Sequence, residues 1–91
     1  MCSVENAIIK GRINSRTVHL LVYYLQGFCS QIYFSNRGRT VNAKSILGIL
    51  SLGLVSGDEV QISIVNDDVD TANEELKKII GYLQRMGETN E

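Results

Sequence analysis

Few side chains in this sequence could do chemistry, and most of them lack helpers. The single histidine, His19, falls where a helix would set Arg16 one turn before it and Tyr23 one turn after, on a shared flank. No serine or cysteine nucleophile is in evident register with it, and no third group stands ready to orient the ring. A surface histidine is the plain reading, and a part in a partner-binding site is the alternative. Cys2 and Cys29 form no CxxC pair, and one histidine cannot complete a zinc site, so neither a metal nor a disulfide framework is expected. Paired carboxylates, a phosphate-cradling glycine loop and a nucleophile elbow are all missing. The chain reads as one that binds rather than catalyses, without a cofactor.

Ser45 is the exception. It follows Lys44 and opens a short, very apolar run, Ile46-Leu47-Gly48-Ile49-Leu50-Ser51-Leu52, that stops at Gly53. A hydroxyl in that place caps a helix by accepting from a free backbone N–H, and usually does no more. Phosphate on the same oxygen would meet free N–H groups and the positive end of the helix dipole, so the helix would tolerate it. It would also set about −1.5 to −2 charges beside an apolar surface at neutral pH, repelling some partners and attracting basic ones. The run has too many apolar residues for one buried stripe, so some of Ile46, Leu47 and Leu50 are expected to face solvent.

These residues need a frame. Val4 to Lys10 read as a strand, with Ala7, Ile8 and Ile9 as its apolar centre. Val18, Leu21, Val22, Leu25 and Phe28 then form one stripe of an amphipathic helix, capped by Asn14 or Ser15 and ending near Gly27. Ile32 and Phe34 alternate with polar neighbours, and Asn36-Arg37-Gly38 supplies a turn to a returning strand with Val41 and Ala43 on the same buried face. Val60, Ile62 and Ile64 mark a last strand. Val69, Ala72, Leu76, Ile79, Ile80 and Leu83 form a second long helical stripe that starts near Asp68 or Asp70. The order βαββαβα predicts an α+β fold: a two-layer open-faced sandwich, with a four-stranded antiparallel sheet and three helices on one face. Residues 1–87 are expected to make a single domain, with 88–91 a frayed tail.

Composition narrows the function classes. Apolar content of 44% and charged content of 21% are ordinary for a globular domain, which argues against bulk disorder. A net charge of −1 gives no basic excess with which to displace counterions, so direct nucleic-acid binding is not expected. Arg37, Arg39 and Lys44 offer at most a modest anion-friendly edge, and Asp67, Asp68 and Asp70 an acidic turn. No apolar run approaches the ~20 residues that cross a bilayer, and the amino end has no basic and apolar blocks of a signal peptide. A reduced, cytoplasmic setting without a membrane partner is the expectation.

The segment Val41-Asn42-Ala43-Lys44-Ser45-Ile46-Leu47-Gly48-Ile49-Leu50-Ser51-Leu52-Gly53 resembles the regulatory-serine region of HPr, the histidine-containing phosphocarrier of the bacterial sugar phosphotransferase system. The likeness runs over nearly the whole chain: Arg16 to Phe28 is similar to the first HPr helix, and Asp58 to Ile64 to the last strand. The family's other motif departs. HPr reads like Ile-His-Ala-Arg-Pro before that helix, with phosphate carried on a ring nitrogen, whereas this chain has Ile13-Asn14-Ser15-Arg16-Thr17. Asn14 stands at the histidine position, and an amide nitrogen has its lone pair delocalised into the carbonyl. Carrier function is therefore expected to be absent.

The resemblance leaves the regulatory half in place and is closest to the catabolite-repression HPr paralogues, which also lack that histidine. It implies Ser45 as acceptor for HPr kinase/phosphorylase. It implies Arg16 as a contact for a catabolite control repressor, and Lys44 with the apolar docking patch of Ile46, Leu47 and Leu50 as partner-binding residues; His19, read from its place on the helix flank, is a further candidate for a partner site. Phosphotransferase-system enzymes are the other implied partners; self-association is left open. Two alternatives stand beside the switch: an unmodified binding module, or residual phosphate transfer through His19, about one turn beyond the family's position.

Overall fold

The structure is a computed structural model that describes residues 2–86. Its elements are β1 (Cys2–Ile8), α1 (Ser15–Gln26), β2 (Gln31–Asn36), β3 (Arg39–Asn42), α2 (Ile46–Ser51), β4 (Glu59–Val65) and α3 (Val69–Arg85). The four strands form one antiparallel sheet in the order β1-β4-β2-β3, and the three helices lie on one face of it, as the sequence pattern predicts. The expected frayed tail at 88–91 lies outside the described residues.

Alternation sets which face is covered. Ile32 and Phe34 of β2 stand opposite Ile64 and Ile62 of β4, and all four are buried. A slip of one residue would send them to the open face, so the register is strongly specified. Against this layer pack Val18, Leu21, Val22 and Leu25 of α1 and Ala72, Leu76, Ile79 and Leu83 of α3. The β2–β3 turn has two residues, Arg37 at φ 53° and Gly38 at φ 82°. Positive φ at both matches the right-handed twist of a tight hairpin, and Arg37 accepts a conformation that glycine takes more easily.

Three sequence expectations shift. β1 begins at Cys2 and ends at Ile8, because its pairing with β4 runs from Cys2 opposite Val65 to Ile8 opposite Glu59. Ile8 is exposed; alternation turns Ala7 and Ile9 inward instead. Phe28 falls beyond the end of α1 and is only partly buried, meeting Tyr24 edge-on with ring centres 5.1 Å apart. Val69, the first residue of α3, is exposed, so the buried stripe starts at Ala72.

Asp68 caps α3. Its carboxylate accepts from the Thr71 hydroxyl at 3.1 Å and from the backbone N–H of Asp70 at 3.0 Å and of Thr71 at 3.4 Å. The Thr71 hydroxyl first, then these N–H groups, hold the Asp68 carboxyl below the usual aspartate range. A carboxyl depressed on folding stabilises above its unfolded pKa, and that contribution is lost as pH falls through the folded value. Asp68→Asn keeps an acceptor but cannot titrate. Its thermal midpoint is therefore expected to fall less steeply than that of the unaltered chain below about pH 4; parallel acid limbs would contradict this.

Candidate functional site

The candidate residues gather at two helix amino ends, those of α1 and α2. Asn14 is extended at φ −148° and is the N-cap of α1. Its Oδ1 accepts the Thr17 N–H at 2.9 Å, while Thr17 Oγ1 accepts the Asn14 N–H at 2.9 Å. The Thr17 hydroxyl also donates to the Arg12 carbonyl at 2.8 Å. Two otherwise free donors are satisfied reciprocally, which is a capping box; a cap of this kind stabilises by about 1 kcal/mol. The sequence narrows the cap to Asn14 or Ser15 without revealing Thr17 as its partner. The signal was there, in a polar acceptor three residues after a capping residue.

Arg16 and His19 are exposed on α1. His19 Nδ1 lies 2.9 Å from the Ser15 carbonyl of its own helix. A carbonyl only accepts, so Nδ1 carries the hydrogen in this bond, and Nε2 holds the lone pair of the neutral ring. Tyr23 is 82% exposed. Arg16, His19, Tyr23 and Gln26 recur at helical spacing along one line, and Gln26 Nε2 ends that line by donating to the Lys44 carbonyl at 3.0 Å. The flank thus runs from the amino end of α1 to the residue before Ser45. Gln26 gave no signal in the sequence, because its role comes from tertiary contact.

Ser45 is the N-cap of α2, with φ −108° and ψ 119°, and its Oγ accepts the Gly48 N–H at 3.1 Å. Asn42 fixes the approach: its Oδ1 accepts the Lys44 N–H at 2.8 Å and its carbonyl the Ser45 N–H at 3.1 Å. A Cβ on Gly48 would lie 3.2 Å from both the Asn42 carbonyl oxygen and the Val41 Cβ, so glycine is what lets α2 settle against β3. At the far end Arg39 Nη1 donates to the Ser51 carbonyl at 2.9 Å. A helix of six residues is too short to be stable by itself, and these contacts hold it. Gly53, at φ 63°, donates to the Leu50 carbonyl at 3.2 Å and ends it as expected.

The apolar run faces solvent in part, as its composition implies. Leu47 is 79% and Leu50 41% exposed, but Ile46 is half-buried against the core. Leu20 of α1 is exposed as well, a position that the helical stripe leaves unflagged. The modest anion-friendly edge that Arg37, Arg39 and Lys44 could offer is largely spent on internal partners. Arg37 meets Asp58 at 3.4 Å, Arg39 holds Ser51, and the Lys44 ammonium donates to the Phe28 carbonyl just past α1. Lys44 is thus drawn inward, away from the free surface on which the sequence places it. Cys2 and Cys29 are free thiols. Among the described residues no cluster of His, Cys, Asp or Glu could hold a metal ion, and no helix is long and apolar enough to cross a membrane.

With this geometry in hand, comparison with known proteins gives a consistent set of likenesses. A family model described as the PTS HPr component phosphorylation site matches residues 9–81. The HPr-like protein Crh of Bacillus subtilis is 33% identical over 76 residues, 84% of this chain and 86% of that protein. The crystal structure of HPr-C-His from Thermoanaerobacter tengcongensis superposes with a TM-score of 0.84 at 30% identity, covering 98% of this chain and 99% of that one. A crystal structure of Bacillus subtilis Crh, a swapped and intertwined dimer, gives 0.71 at 32% identity over 85% of each chain.

Proposed function

Because the chain belongs to the HPr family, we propose that it is a regulatory member of it, acting in carbon catabolite control through phosphorylation of Ser45 rather than as a phosphocarrier. The observation that carries this reading is the side chain at position 14. Its oxygen is engaged as a helix cap, and its amide nitrogen has no free lone pair to offer phosphorus. Messages must then leave by another group, and Ser45 is the hydroxyl at the start of α2 with an exposed apolar surface beside it.

HPr kinase/phosphorylase is the proposed modifying enzyme. Ser45 Oγ attacks the γ-phosphorus of ATP; the new O–P bond forms as the bond to ADP breaks, and the hydroxyl proton passes to a base of the kinase. Oγ accepts its hydrogen bond from Gly48, so the O–H hydrogen is not the atom that holds the cap. A catabolite control repressor is the proposed reader, resting on Leu47 and Leu50, with Arg16 and His19 on the flank that leads to Ser45. Ile46 contributes its exposed part, and Lys44 reaches the surface only by leaving the Phe28 carbonyl. The name and description of Crh support this direction, since that protein is described as belonging to catabolite repression.

The test is a binding comparison: repressor titrated with the unmodified chain and with the Ser45-phosphorylated chain. Tighter binding of the phosphorylated form is expected. Equal binding would favour a module that docks through Leu47 and Leu50 without modification. Phosphate transfer through His19 predicts acid-labile phosphate on the unaltered chain after exposure to phosphoenolpyruvate and the system's first enzyme; none is expected.

A further inference from the structure

We propose that Thr17 is a second barrier to phosphocarrier chemistry, a positioning residue that acts through whatever side chain stands at position 14. The inference rests on the reading of Asn14 as the lost carrier position and adds a cause that this reading does not contain. The Thr17 N–H is aimed at the side-chain acceptor of residue 14, with a donor–acceptor distance of 2.9 Å. Residue 14 is the N-cap and residue 17 the third helical residue, so the alignment follows from the backbone and not from the amide. A carbonyl oxygen has two lone pairs and can spend one on this bond. A neutral imidazole has one acceptor nitrogen with a single in-plane lone pair.

Phosphate transfer needs that same lone pair. The ring nitrogen forms the new N–P bond while the bond between phosphorus and the donor breaks, its electron pair staying on the donor, and the other ring nitrogen keeps its proton. A ring nitrogen placed where Asn14 Oδ1 now lies would be held by the Thr17 N–H instead. The Thr17 hydroxyl tightens the arrangement by accepting the Asn14 N–H and donating to the Arg12 carbonyl. Proline is the one residue that removes the donor. It is tolerated in the first turn, where the N–H has no intrahelical partner, and it is what the related motif carries at this place. Two of the three departures from that motif, those at positions 14 and 17, are thus one hydrogen-bonded unit.

The experiment compares Asn14→His, Asn14→His/Thr17→Ala and Asn14→His/Thr17→Pro, all with His19→Gln so that acid-labile phosphate reports position 14 alone. Each is exposed to phosphoenolpyruvate and the system's first enzyme. The proline variant is expected to be phosphorylated about ten-fold faster than the other two, the rate equivalent of one hydrogen bond. The alanine variant keeps the N–H and loses the hydroxyl, so it should remain slow. Titration of the introduced imidazole by NMR gives a second readout: a bond to the neutral ring lowers its pKa, so the proline variant should titrate higher. Arg12 and Arg16 flank the position, and Tyr82 and Arg85 of α3 share a cleft with Thr17; all four are common to the variants. Equal rates and equal titration in the three would overturn the proposal, as would full rescue by alanine. Should the proline variant not fold, ring ¹⁵N shifts in Asn14→His decide: an acceptor nitrogen free of any hydrogen bond would overturn it. Acid-labile phosphate on the unaltered chain would instead sink the proposed loss of carrier function, by way of His19, and leave this comparison standing.

Discussion

Replacing Phe34 with alanine is expected to cost about 3–5 kcal/mol of folding stability. Phe34 is fully buried and lies on β2, an interior strand of the sheet, opposite Ile62 on one side and Val41 on the other. Truncation removes the transfer free energy of the ring and leaves a cavity that neighbours on two strands and the covering helices cannot fill without breaking register. Against a total stability of about 5–15 kcal/mol for a domain of this kind, that loss is a large share of the margin, and the thermal midpoint should fall by more than about 10 °C. Denaturant unfolding with an unchanged slope is the check. A loss below about 1 kcal/mol, the range of an ordinary substitution, would mean that the core is not organised around β2.

Leu47→Asp is expected to do the reverse, leaving the fold intact and weakening docking. At 79% exposure Leu47 gives little to the core, so stability should change by no more than about 0.5 kcal/mol. A centrally placed apolar anchor in a docking surface is worth about 2 kcal/mol or more, and a carboxylate there adds its own desolvation cost. Repressor binding should therefore weaken by at least about 30-fold. The effect separates the two binding readings. If Ser45 phosphorylation controls docking, Leu47→Asp matters chiefly in the phosphorylated chain; if the patch docks without modification, the same loss appears with or without Ser45. Unchanged affinity in both would remove the α2 surface from the partner site.

These two residues also mark what a sequence can disclose. Phe34 was legible as core because alternation in a strand leaves each residue only two faces, whereas the excess of apolar residues in α2 showed that some of Ile46, Leu47 and Leu50 face solvent without saying which. Ser45 as a cap and Gly53 as a stop followed from local backbone chemistry. The spacing of Asn14 and Thr17 carries a signal for a cap, but whether the cap is reciprocal depends on rotamers, which the sequence does not show. Lys44 was placed on the surface by its charge, yet a carbonyl just past α1 draws it inward, a tertiary effect invisible to spacing. Gln26 is the same case in reverse, a plain polar residue that ties α1 to the approach of α2. Phe28 kept helical period past the end of the helix; periodicity marks a face but does not say where the chain turns away.

A carboxamide that caps a helix cannot also accept phosphate, and under the proposed function the signal therefore falls to the serine at the head of α2. Incubating the purified chain with HPr kinase/phosphorylase and ATP, then weighing it intact, tests that claim most directly. One added phosphate that disappears in Ser45→Ala is the expected result; an unchanged mass, or a phosphate that survives the loss of Ser45, would contradict it.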